Sequence, residues 1–220
     1  MPHARQHHAH QHALTRTRER RHQLAHEAAR LMAENGIRDY GLAKRKAAER
    51  LGITDDASLP RNSEIEDALR EYQRLFQADT QPSRLQAQRE AALGALEFFA
   101  PFAPRLVGPV LDGTADAHSP ILLHLYADDA LAARTFLLDQ GIRAQARSRR
   151  VRLDRNRNAD CDVWLFEAEG FAFDVTVLPH EALRQAPLSP VNEKPMARAS
   201  AAQLRELLAA EETLRPASGS

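Results

Sequence analysis

The chain has 220 residues, of which 43% are hydrophobic, and its 30 Lys and Arg balance its 30 Asp and Glu. This length and composition predict one medium domain plus a smaller one, and zero net charge excludes a whole-molecule field that attracts nucleic acid or membranes. No apolar run approaches the roughly 18–20 residues needed to cross a bilayer, and the N-terminus lacks the apolar core of a secretory signal. Because Cys161 is the single cysteine, an internal disulfide is excluded. We therefore expect a bacterial-type soluble protein of the cytoplasm, with no membrane partner.

Charge is unevenly distributed along the chain. Residues 1–50 carry 11 Lys and Arg against 5 Asp and Glu, whereas residues 51–220 carry 19 against 25. A basic front part on an acidic remainder allows a local anionic partner, a protein partner, or contact between the two parts.

The N-terminus is rich in histidine. Five of the first 14 residues are histidines: His3, His7, His8, His10 and His12. Such a tract can bind Zn, Cu or Ni, but a polar segment that buries nothing predicts a disordered arm over 1–14. His22 and His26 lie four residues apart and would share a helix face, and without a third ligand near them in sequence a solvated face is favoured.

Apolar residues at helical spacing predict a helical subdomain over 15–95. Its helices are expected at 15–35, 39–51, 63–76 and 82–99, with a capping box formed by Ser63 and Glu66. The outer face of the second helix is basic: Lys44, Arg45, Lys46 and Arg50. This segment, 38–52, loosely resembles the second helix of a helix-turn-helix module, so a DNA-binding regulator is one alternative; a helical bundle is the other.

The pattern changes to strands after Pro101 and Pro104. Strands are predicted at 105–111 and 121–126, then a helix at 129–140, an extended segment at 142–153, and strands at 163–168 and 171–178. Glu169 and Gly170 predict a two-residue hairpin turn. Residues 179–220 form a proline-rich arm and a last helix from Ser200, which completes an α+β fold with a mixed sheet and flanking helices.

The segment 107–127, VGPVLDGTADAHSPILLHLYA, resembles the signature of the nucleotidyltransferase superfamily, the DNA polymerase β-like fold. The match lies in the spacing of Gly108, Gly113 and Ser119 ahead of an apolar strand. The resemblance implies a nucleotidyltransferase-like core over 96–178, in which an Asp-x-Asp pair at the strand start and a third carboxylate hold Mg²⁺ or Mn²⁺. Pro120 and Leu122 stand at the two aspartate positions, so a regulatory protein that binds a nucleotide or RNA phosphate without the metal pair is expected.

An active metal-dependent enzyme is the alternative, with Asp116, His118 and Asp174 as catalytic candidates. Asp174 matches the third carboxylate of the family and Asp116 is the second possible metal ligand, because clustered carboxylates hold divalent ions. Asp174 could instead accept hydrogen bonds from an arginine or from the glycine turn.

Phosphate could bind to the backbone of the glycine turn and to nearby arginines. The expected residues are Gly108, Gly113, Thr114, Ser119, Arg149 and Arg150. The last two belong to a run of seven arginines in the 15 residues 143–157. A solvated edge strand, whose charges block strand pairing, explains that run equally well.

Overall fold

The computed structural model describes residues 3–77 and 81–214, with side chains for 15–77, 81–129 and 131–213. The chain divides into two compact units, Met1–Ala78 with Pro190–Asn192 and Asp79–Ser189 with Glu193–Ser220. Within the described residues, seven α-helices and a six-stranded mixed sheet confirm the predicted α+β class. None of the helices in this part of the chain is long and apolar enough to span a bilayer.

The first unit is built from three helices: α1 (His3–Asn35), α2 (Tyr40–Leu51) and α3 (Asn62–Phe76). Its core combines leucine, isoleucine and small alanine side chains that let the helices approach closely, among them Leu24, Ala28, Ala43, Ala47, Ile65 and Leu69. The backbone of α1 begins at His3, so the segment expected as a disordered arm is helical, because no glycine or proline interrupts it. The side chains of the five histidines in residues 1–14 lie outside the described residues.

The start of α3 differs from the expected capping box. The carboxylate of Glu64 accepts the Arg61 backbone N–H at 2.6 Å, and Ser63 lies inside the helix. Glu66 instead accepts a hydrogen bond from the Tyr40 hydroxyl at 2.6 Å, which joins α3 to the start of α2. Glu66, which the local pattern assigned to the cap, therefore makes a tertiary contact with Tyr40 instead.

The second unit holds the sheet. Its elements are α4 (Gln81–Phe98), β1 (Arg105–Val107), α5 (Pro109–Asp112), β2 (Ile121–Tyr126), α6 (Ala130–Asp139), β3 (Gln145–Arg152), β4 (Asn158–Ala168), β5 (Phe171–Leu178), β6 (Arg198–Ala199) and α7 (Ala201–Leu214). The strand order is β3-β4-β5-β2-β1-β6, with β2 parallel to β5 and the other neighbouring pairs antiparallel. Helix α4, which the sequence placed in the 15–95 subdomain, lies in this unit because Ala92 and Leu96 pack into the core beneath the sheet.

The first strand is shorter than the sequence pattern indicates. The segment expected as a strand over 105–111 leaves the sheet at Gly108, whose φ is +71°, and Pro109 begins the short helix α5. Proline is favoured at this first helical position because its missing N–H would have no partner there.

The two faces of the sheet differ in character. Helices α4, α6 and α7 pack on one face, through Leu96, Leu137 and Leu204 against strand residues such as Leu123 and Val175. Strand alternation places four arginines on the opposite face: Arg105, Arg147, Arg149 and Arg198. We call this surface the arginine face.

Candidate functional site

Val107, Leu122 and Asp174 form a row across the centre of the arginine face, and Gly108 follows Val107 at the end of β1. Leu122 pairs with Val107 of β1 on one side and with Asp174 of β5 on the other. A Cβ atom at Gly108 would lie 2.7 Å from Cδ1 of Leu122, and the φ of +71° with ψ of −153° is a region open essentially to glycine alone. The leucine side chain therefore fills the space directly over the glycine backbone.

Asp174 is held by Arg149. The two Nη atoms of Arg149 donate to the two carboxylate oxygens at 3.0 and 2.6 Å, and Nη1 also donates to the Thr176 hydroxyl at 3.2 Å. Asp174 is 8% exposed, and a bidentate arginine is the strongest way to neutralise a buried carboxylate. Of the two readings left open by the sequence, the structure shows the hydrogen-bonded carboxylate.

His124 lies beside this pair, two residues beyond Leu122 and paired with Thr176 in the β2–β5 register. It is 6% exposed, and its Nδ1 atom has no hydrogen-bond partner. Burial, followed by the positive charges of Arg149 and Arg198, lowers the pKa of His124 to about 4. The imidazole is therefore neutral at physiological pH.

The other three arginines of this face donate to neutral oxygen atoms. Arg105 bonds the Ala103 and Pro104 carbonyls at 3.1 and 2.8 Å, and Arg147 bonds the Gln145 amide oxygen at 3.3 Å. Arg198 bonds the Tyr126 hydroxyl and the carbonyls of Ala182 and Leu183 at 2.8–3.2 Å. The strands present two acids on the same face, Asp174 and the exposed Glu167 near the hairpin turn. Positive charge is in excess.

Arg149 and Arg150, which the sequence grouped as phosphate ligands, lie on opposite faces. In the β3–β4 register Arg149 pairs with Cys161, whereas Arg150 pairs with Asp160 on the side of the helices. Strand β3 is at the edge of the sheet and almost fully exposed. Arg150 therefore cannot share a ligand with Arg149 across the sheet.

The glycine loop, residues 108–119, has its backbone amides engaged internally. The N–H groups of Gly113 and Thr114 both donate to the Pro109 carbonyl, and the Ser119 N–H donates to the Asp116 carbonyl. The Ser119 hydroxyl donates to the Asp116 carboxylate at 3.0 Å. The expected phosphate cradle of Gly113, Thr114 and Ser119 is thus a self-contained turn.

Helix α4 fixes that loop from behind. The Gln81 amide donates to the carbonyls of Gly113 and Ala115, and the Gln88 amide to those of Asp116 and Ser119, at 3.0–3.2 Å. The buried Arg89 donates to the Val110 and Leu111 carbonyls at 2.9 and 3.1 Å, and it forms an ion pair with Glu211 of α7.

The alternative catalytic set is not assembled as a metal site. Asp116 is 5% exposed, and its Oδ1 atom accepts the His118 N–H at 2.8 Å as well as the Ser119 hydroxyl. Among the described residues, no three or more His, Cys, Asp or Glu side chains already form a group that could hold a metal ion. Asp116 and Asp174 serve two separate hydrogen-bond networks.

The basic residues of α2 are not equivalent. Arg45 and Lys46 are exposed, and Arg50 lies 3.4 Å from the Glu27 carboxylate of α1. Lys44 is half-buried, and this burial lowers its pKa from the ordinary value. Two of the four cations expected to meet DNA are therefore committed in part to the helical unit.

Sequence reasoning missed Arg105 and Arg198 as members of this face. Strand alternation was the available signal for Arg105, which shares a face with His124. Comparison with known proteins gives no match to a family model, to a curated protein or to a solved structure.

Proposed function

We propose that the sheet unit is a nucleotidyltransferase-like domain that lacks metal-dependent catalysis and binds a nucleotide or RNA phosphate in a regulatory role, in the cytoplasm. Support comes from the order of its parts. A strand, a glycine loop and a second antiparallel strand are followed by a parallel strand that carries Asp174 beside Leu122. The family resemblance predicts a third carboxylate next to the Asp-x-Asp strand in this way.

The same row argues against transferase chemistry. Two divalent ions require several carboxylates around them. Leu122 puts an apolar side chain beside Asp174, and both oxygens of Asp174 already accept hydrogen bonds from Arg149. A metal cation at this point would have to displace a positively charged guanidinium from Asp174.

The observation that carries the proposal is the charge of the arginine face. Three of its four guanidinium groups donate to neutral oxygens and so keep their full positive charge available to an anion. Arginine donors in a fixed fork match the oxygens of a phosphate. Arg147 is exposed and faces solvent from the edge strand, which makes it the most accessible of them.

Calorimetric titration of the full chain with ATP, GTP, CTP and a short single-stranded RNA tests this proposal, each with and without Mg²⁺ or Mn²⁺. We expect metal-independent binding that weakens as salt rises. Arg147→Gln should reduce the affinity by about tenfold, the effect of losing one charged hydrogen bond, whereas Arg150→Gln on the opposite face should leave it unchanged.

Two results would overturn the proposal. Equal loss in the Arg147→Gln and Arg150→Gln variants would mean that the strand acts only through its total charge, and no binding of any ligand would remove phosphate recognition. Binding that depends on Mn²⁺ or Mg²⁺ and disappears in Asp174→Ala would instead favour the active enzyme.

A further inference from the structure

Two histidines on α1 point their ring nitrogens at each other. His22 and His26 are one helical turn apart, with their Nε2 atoms separated by 3.1 Å and their ring centroids by 4.2 Å. A neutral imidazole has one N–H and one lone pair, so these nitrogens can share a single proton or direct both lone pairs at one cation. Both rings reach solvent, because the His26 side chain is 39% exposed and His22 is exposed as well.

Helix α3 brings a carboxylate to the same place. Oε2 of Glu71 lies 3.7 Å from Nε2 of His26, and the Glu71 side chain is 47% exposed. The open groove between α1 and α3 at this point has a volume of about 1000 Å³. Its charged lining residues are four acids, Glu19, Glu64, Asp67 and Glu71, and two arginines, Arg18 and Arg21. The two imidazoles and the Glu71 carboxylate are the metal-ligating groups that meet in this groove.

We propose that His22, His26 and Glu71 form a binding site for a divalent transition metal such as Zn²⁺, which would clip α1 to α3. With Zn–N bonds of about 2.0–2.1 Å, two ligands of a tetrahedral ion lie about 3.3 Å apart, close to the observed 3.1 Å. The two histidines are thus already spaced as ligands. In the structure as it stands the three described side chains do not form a group that holds a metal ion. Metal binding therefore requires the half-exposed Glu71 side chain to rotate into the third position, and water takes the fourth.

The ligand set selects the kind of metal. Imidazole together with carboxylate suits Zn²⁺, Cu²⁺ or Ni²⁺, whereas Mg²⁺ prefers oxygen ligands throughout. This site belongs to the helical unit and does not depend on phosphate binding by the sheet unit.

Thermal unfolding of the full chain, followed by helical circular dichroism during titration with Zn²⁺, tests the site. We expect Zn²⁺ to raise the unfolding temperature, because a metal that joins two helices binds the folded state. The variants His22→Gln, His26→Gln and Glu71→Gln should each raise the Zn²⁺ concentration needed for half of that increase by about tenfold or more.

The matched control is the double variant His8→Gln, His12→Gln. It removes another pair spaced four residues apart on the same helix, within the histidine-rich segment that can bind metal by itself. We expect this control to lower the number of bound ions and to leave the stabilisation intact. Mg²⁺ should not replace Zn²⁺.

Three results would overturn the proposal: stabilisation that survives in His22→Gln and His26→Gln, stabilisation that is lost in the His8/His12 control, or no stabilisation by any transition metal. If a histidine variant loses helical structure without metal, Glu71→Gln carries the comparison, because its side chain is half-exposed.

Discussion

Replacing Arg149 by glutamine should destabilise the sheet unit by about 2–3 kcal/mol, because it leaves the buried carboxylate of Asp174 without two charged hydrogen bonds. Breaking a buried pair costs about 3–5 kcal/mol, and an exposed pair is worth at most about 1 kcal/mol. The Asp174 side chain is 11% exposed and that of Arg149 is 47% exposed, so the cost lies between these limits. Asp174→Asn should cost less, about 1 kcal/mol, since the half-exposed guanidinium can turn into water.

Urea unfolding followed by the fluorescence of Trp164 measures these costs. It is the single tryptophan of the chain, and it lies in β4 with 8% of its surface exposed, so its signal reports the sheet unit. Arg150→Gln, on the other face of the same strand, is the control and should change the free energy of unfolding by less than about 0.5 kcal/mol. The reasoning fails if Arg149→Gln unfolds like this control, or if the costs of the Arg149 and Asp174 variants add fully in the double variant, because partners in one ion pair must couple.

Three further predictions concern the surroundings of this pair. Gly108→Ala should lower the free energy of unfolding in urea by about 3 kcal/mol, because backbone strain and the clash with Leu122 add up. The control Gly141→Ala, with φ +72° and open space around it, should lower it by about 1 kcal/mol. Between pH 6.5 and pH 4 the wild type should lose up to about 3 kcal/mol more free energy of unfolding than His124→Leu. The reason is that His124 takes up a proton near pH 6.5 in the unfolded chain, whereas its pKa in the folded chain is about 4. Equal dependence of the two unfolding free energies on pH would exclude this account. Arg89→Leu should accelerate hydrogen exchange of the backbone amides in the glycine loop. Arg89→Lys should not restore the slow exchange, since one ammonium cannot reach two carbonyls and Glu211 together.

The sheet elements that could be predicted are those whose signal is local. Strand β5 occupies Phe171–Leu178 as predicted, since its alternation is regular, and the turn before it has positive φ at both Glu169 (+53°) and Gly170 (+81°), as a two-residue hairpin requires. The segment 105–111 was predicted as one strand but contains a strand and a helical turn, because a short apolar run fits either structure. The Gly108-Pro109 dipeptide was the local signal that the strand ends at Val107.

The candidate site could be predicted less well, because its partners meet through long-range strand pairing. Arg198 reaches the arginine face only because β6 pairs with β1, after a loop that runs from β5. Alternation alone separates Arg149 from Arg150 once β3 is known to be a strand. Glu71 belongs to a different helix from His22 and His26, so helical periodicity could not bring the three together.

Leu122 does more than place an apolar side chain at the centre of the arginine face. Its side chain fills the space over Gly108, where a Cβ would come within 2.7 Å of it, so the glycine and the leucine are complementary in shape. An aspartate at 122 would be shorter, would leave part of that space unfilled, and would put a second carboxylate in the register position next to Asp174. Like charges at that distance repel, and one of the two would have to be protonated or bound to a cation. With leucine there, one carboxylate matches one guanidinium, and Arg105, Arg147 and Arg198 donate to neutral oxygens; the proposed binding of an anion depends on this excess of positive charge.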